Sequence, residues 1–96
     1  MVDLGPDRAL FSISVASEVT GVNQQMLRVY EERGLVTPHR TAGGTRRYSS
    51  SELERIREID ALVKTGINLA GVGRVLELQA QNRQLQRKVD RLQQRD

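Results

Sequence analysis

The chain has 96 residues, enough for one small domain whose apolar core is modest. Its bulky aromatics are Phe11, Tyr30 and Tyr48 alone, a shortage that points to extra burial through oligomerisation. With no cysteine, a single histidine (His39), and neither a bilayer-length apolar run nor a signal-peptide pattern, the sequence argues against disulfides, thiol chemistry, a metal centre or cofactor, and a membrane span; a cytoplasmic protein is expected.

The net charge of +3 is small, but its distribution is informative. Between Arg33 and Ser51 stand Arg33, Arg40, Arg46 and Arg47 with no acid, and Glu31, Glu32 and Glu52 flank that window. A local cationic patch fits contact with phosphate. The plainer reading is a solvated basic loop.

Residues 1–10 show no periodicity and read as a flexible N-terminal arm. Phe11 to Ile13 is a short extended approach. Ser14 is the expected N-cap of a helix of about two turns, carrying Val15, Ala16 and Val19 and ended by a left-handed Gly21. Asn23 is the next expected N-cap, and Met26, Leu27 and Tyr30 mark one face of a second helix that stops at Gly34. Two short helices joined by a tight Gly-containing turn form a helix-turn-helix. On the second helix Asn23, Gln24, Gln25 and Arg28 lie near the N-terminus. Glutamine matches an adenine edge and arginine a guanine edge or a phosphate, so these residues either read DNA or form an ordinary polar face.

Leu35 to Thr37, leading into Pro38, reads as an edge strand. Gly43 and Gly44 can supply the positive φ angles of a hairpin turn, and Arg46, Arg47 and Tyr48 form the return strand. A phosphate-binding P-loop would require a Lys-Ser/Thr pair and an immediate helix, which this segment lacks. Ser49 and Glu52 make a capping box for a third helix with a core stripe of Leu53, Ile56, Ile59, Leu62 and Val63. Its other face, Glu54, Arg55, Arg57 and Glu58, reads as solvated. Lys64 suits the last turn and Gly66 ends the helix.

Asn68 caps a last helix whose core-facing stripe is Leu69, Val72, Val75 and Leu76. From Val75 the pattern tightens to heptads, with Val75, Asn82 and Val89 at a and Leu78, Leu85 and Leu92 at d. This is a coiled-coil seam, and another copy of the same chain is the simplest partner; folding back on its own domain is the alternative. Lys88 and Arg95 at g offer no opposite charges to set its direction.

The order of these elements resembles the MerR family of bacterial transcriptional regulators. The match is carried by ISVASEVTGVNQQMLRVYEERGLVTPHRTAGGTRRYSSSELERI and KTGINLAGVGRVLEL, across about residues 11–79. It includes Leu27-Arg28, Tyr30-Glu31, Gly34-Leu35, Pro38, the glycine turn and Arg46-Arg47-Tyr48-Ser49 in sequence. TAGGTRRYS and INLAGVGRVLEL are most similar to the heat-shock repressor (HspR) subgroup. Met26 and Val29 depart from the Thr and Tyr common in the family.

The resemblance implies a mainly α fold: a winged helix-turn-helix domain over residues 11–74 with a β-hairpin wing, then a coiled-coil dimerisation helix over residues 75–96. It implies a non-enzymatic, homodimeric repressor of heat-shock or stress genes, bound to double-stranded DNA at an inverted repeat and associated with the nucleoid. A DnaK-like chaperone is the implied co-repressor, and no inducer-sensing part is expected on this chain. The DNA contacts would be Asn23, Gln24, Gln25, Arg28 and Tyr30 on the recognition helix and Arg40, Gly43, Gly44, Arg46, Arg47 and Tyr48 on the wing. The two tyrosines read equally well as core. Rival functions are an activator that distorts long-spacer promoters, an architectural or excisionase-like DNA-binding protein, and a coiled-coil protein adaptor.

Overall fold

Residues 5–94 are described by a computed structural model. The elements run β1 (Ala9–Phe11), α1 (Ile13–Thr20), α2 (Gln24–Glu32), β2 (His39–Arg40), β3 (Arg46–Ser49), α3 (Ser50–Lys64) and α4 (Leu69–Gln93). The fold is mainly helical, with one small antiparallel sheet in the order β1-β3-β2.

Of the expected arm, residues 1–4 lie outside the described residues, and the remainder is a correction. Ala9 to Phe11 pairs with β3, Ala9 opposite Ser49 and Phe11 opposite Tyr48, with Leu10 bulged between them. The Ser51 amide donates to the Pro6 carbonyl at 3.0 Å, so the chain is tied down before the strand begins. No sequence periodicity announces a strand this short.

The N-cap of α1 is Ser12, whose hydroxyl oxygen accepts from the Val15 amide at 3.2 Å, and not Ser14, which is one residue inside the helix. The helix ends as expected. Gly21 sits at φ 78° and its amide donates to Ser17 O at 2.9 Å. A side chain there would strain the backbone. Val22, buried in the turn, and Asn23, capping α2 with its Oδ1 2.8 Å from the Met26 amide, complete the helix-turn-helix. The unusual Met26 therefore leaves the cap intact.

Leu35 to Thr37 is not a strand. Leu35 and Val36 are consecutive and both buried, which the alternating faces of a half-exposed strand forbid. The Leu35 amide returns to Tyr30 O at 2.9 Å, and its carbonyl accepts from Arg55 Nε. The hairpin is accordingly short, pairing His39 with Arg47 and Arg40 with Arg46. In its turn the Gly44 amide donates to Thr41 O at 2.9 Å and the Thr41 amide to Thr45 O at 2.8 Å. Only Gly44, at φ 85°, takes the left-handed conformation; Gly43 does not, although the sequence assigned that role to both.

The capping box of α3 forms as read: Glu52 N donates to Ser49 Oγ at 3.1 Å and the Glu52 carboxylate accepts from Ser49 N. Part of the supposedly solvated face of α3 is structural. Arg55 holds the α2–β2 connection, and Arg57 Nη2 donates to Val19 O at the end of α1 at 3.4 Å.

Ala16, Val22, Leu27, Tyr30, Leu35, Val36, Tyr48, Leu53, Ile56 and Ile59 form the core of the compact unit that ends at Gly66. A second unit begins at Ile67, before the division after residue 74 that the heptads suggest, because α4 is one helix of 25 residues from its Asn68 cap onward. Within it Val72 and Leu76 are buried, while Leu78, Leu85, Val89 and Leu92 are exposed by 46, 60, 45 and 63%. Arg95 lies outside the described residues.

Candidate nucleic-acid interface

The helix-turn-helix gives α2 one buried face and one free face. Leu27 and Tyr30 are in the core, which turns Gln24, Gln25 and Arg28 outward. Arg28 is four residues from Gln24 and three from Gln25, so the three side chains are neighbours on one helical surface. None of them has a side-chain hydrogen bond or ion pair among the described residues, so their donors and acceptors are available. Asn23 is also exposed, but its oxygen is committed to the cap of α2.

Tyr30 and Tyr48 are corrected. They are 1% and 0% exposed and are the largest fully buried side chains among the described residues, so neither is a surface phosphate donor. Burial first, then Asp60, raises the Tyr30 phenol above its ordinary pKa, and burial is the main cause of the rise for Tyr48. The Tyr48 hydroxyl and Glu52 Oε2 are buried with no hydrogen-bond partner among the described residues.

The wing arginines divide into two kinds. Arg40 and Arg46 are opposite one another on β2 and β3, where two like charges should repel. Glu31, at the end of α2, resolves this. Its Oε1 accepts from Arg46 Nε at 2.7 Å and its Oε2 from Arg40 Nη2 at 2.9 Å. Arg40 Nη1 also donates to Gly44 O at 3.0 Å, so one guanidinium ties the turn to the helix. Hydrogen bonding from Arg46, which outweighs partial burial, and then from Arg40 keeps the Glu31 carboxyl below the ordinary carboxylate range. Arg47 is the other kind: it alternates to the opposite side of β3 from Arg46 and Tyr48 and has no side-chain partner among the described residues. Gly43 and Gly44 shape the turn and carry no side chain to offer DNA.

Sequence reasoning missed Glu31, which it treated as a flanking surface charge. The only hint in the sequence was an acid near the end of a helix, followed by an arginine-rich hairpin that has no acid of its own. Among the described residues no group of three or more His, Cys, Asp or Glu is placed to hold a metal ion, and no helix is long and apolar enough to cross a membrane.

The comparisons with known proteins agree with this architecture. Residues 11–79 match the family profile described as MerR HTH family regulatory protein. The heat shock protein HspR of Streptomyces coelicolor is 45% identical over 85 residues, which is 88% of this chain and 56% of that protein. The transcriptional regulator TnrA of Bacillus subtilis is 38% identical over 66 residues, 69% of this chain and 60% of that one. The chain thus spans between half and two thirds of the length of these relatives. Among solved structures, HiNmlR, a MerR family regulator lacking the sensor domain and bound to promoter DNA, shares the fold with a TM-score of 0.65 and 21% identity, over 86% of this chain and 75% of that one. A helix-turn-helix capped at Gly21 and Asn23, a hairpin closed at Gly44 and a family match across both place this chain in the MerR family of regulatory proteins.

Proposed function

We propose that the chain is a sequence-specific DNA-binding transcriptional regulator that acts as a homodimer on an inverted-repeat operator and represses heat-shock or stress genes. The observation that carries this reading is the free patch of Gln24, Gln25 and Arg28 on the outer face of α2, in the same compact unit as a cationic wing. Gln25 and Gln24 read base edges, Arg28 takes a guanine or a phosphate, and Arg47 supplies a phosphate contact from the wing. The likeness to HspR supports the assignment to stress genes and to repression. A DnaK-like chaperone is the corresponding co-repressor, and its addition should tighten binding to the operator.

The homodimer is supported by α4. Leu78, Leu85, Val89 and Leu92, with Asn82 between the first two, form an exposed stripe at alternating spacings of four and three on a helix of 25 residues. Each fully buried side chain of this kind contributes about 1.5–3 kcal/mol, enough for a second copy to be favoured over solvent.

Titration of a labelled mixed-sequence duplex at low salt tests the reading. Binding that weakens steeply as salt rises is expected. No binding even at low salt would contradict it and favour a coiled-coil adaptor.

A further inference from the structure

Glu31, the less exposed of the two adjacent acids that end α2, lies beside a surface that presents Gln24, Gln25 and Arg28. An acid beside a phosphate backbone weakens association, so its presence has to be balanced by something it does. Both of its carboxylate oxygens are in use, one on each arginine of a cross-strand pair, and the bonds join α2 directly to both strands of the hairpin. Charge-assisted bonds of this length are the stronger and more directional kind. Among the described residues no other side-chain hydrogen bond links α2 to the hairpin.

We propose that Glu31 is the specificity-determining positioning residue of the site: it locks the wing to the recognition helix, so that Arg47 and the Gln24, Gln25 and Arg28 patch meet DNA in one fixed register. The inference rests on the reading of α2 and the hairpin as the DNA-binding surface. Two arginines share one carboxylate, so the cluster presents one net positive charge to DNA instead of two. Affinity is given up and register is gained.

Glu31→Gln separates these effects because they have opposite signs. Removing the acid should tighten binding to a mixed-sequence duplex and steepen its salt dependence by roughly one phosphate contact, a slope change of about 0.9. The ratio of affinities for a selected operator and that duplex should nonetheless fall about tenfold, the effect of one mismatched base pair. Glu32→Gln makes the same change in charge at an exposed neighbour that forms no ion pair among the described residues. It should leave the ratio unchanged. Arg40→Gln removes one of the two tethers at a half-exposed position, leaves the Arg46 bond in place, and should lower the ratio by a smaller factor.

Hydrogen exchange without DNA reads the tether itself: the Thr41, Gly44 and Thr45 amides should exchange faster in Glu31→Gln than in wild type. Equal ratios in Glu31→Gln and Glu32→Gln, or unchanged exchange in the wing, would overturn the inference. Wild-type protein that binds neither duplex would overturn the DNA-binding reading and the specificity role with it, whereas a failure of the tether alone appears in the exchange measurement.

Discussion

Single residues carry the sharpest distinctions. Gly43 and Gly44 are adjacent and alike in sequence, yet only Gly44 has a positive φ, and a Cβ at Gly43 would come no closer than 4.0 Å to Thr41 Oγ1. Gly44→Ala should therefore destabilise the protein by about 1 kcal/mol, and Gly43→Ala should have little effect or a slight gain from reduced unfolded-state freedom. Equal denaturation midpoints for the two variants would contradict the turn geometry. Tyr48 makes a second case. Its ring fills the core while its hydroxyl has no partner among the described residues, so Tyr48→Phe should be neutral or stabilising by roughly 1 kcal/mol. A DNA-contacting tyrosine would behave differently: the same variant would lose one phosphate contact in its salt dependence, which this structure predicts it will not.

The elements show which sequence signals survive folding. The N-caps at Asn23 and Asn68 and the capping box at Ser49 were legible because each is a local hydrogen bond over three residues. The left-handed Gly21 was legible for the same reason. Leu35 to Thr37 misled because β-propensity reports fitness for a half-buried pleated surface, and this segment is held instead by Arg55 from a distant helix. Arg40 and Arg46 were visible as wing cations, but their common partner lies 9 and 15 residues away, beyond any periodic pattern. Ser12 won over Ser14 as a cap because pairing of β1 fixes where the chain can turn into α1.

The Glu31 tether also sets a pH dependence for the wing. The folded carboxyl titrates below its ordinary value of 4.5, so the unfolded chain takes up a proton first as pH falls. The stability it contributes is complete above that value and is lost as pH drops through the lower folded value. Protection of the wing amides, with the intrinsic pH dependence of exchange divided out, should fall in that acidic window in wild type and stay flat in Glu31→Gln. A flat profile in both proteins would count against the ion pairs.

For the whole molecule, two compact units divide the work in the proposed function: α2 and the hairpin would read DNA, and the apolar stripe of the long helix would bind a second copy. The heptad pattern of α4 was readable because its spacing is written directly in the sequence, whereas which side chains of α4 are buried, Val72 and Leu76, required the fold. Asn82 occupies an a position within that stripe, where a polar residue fixes register at a cost in stability. Asn82→Leu should tighten the assembly or raise its order, and sedimentation velocity showing monomers for both wild type and variant would rule out the coiled-coil dimer. Homodimeric reading of DNA is tested most sharply by selection of bound duplexes from a random pool. An enriched inverted repeat is expected, with two like half-sites whose centres are one or a few helical turns apart; recovery of single unpaired half-sites, or of no enriched sequence, would contradict it.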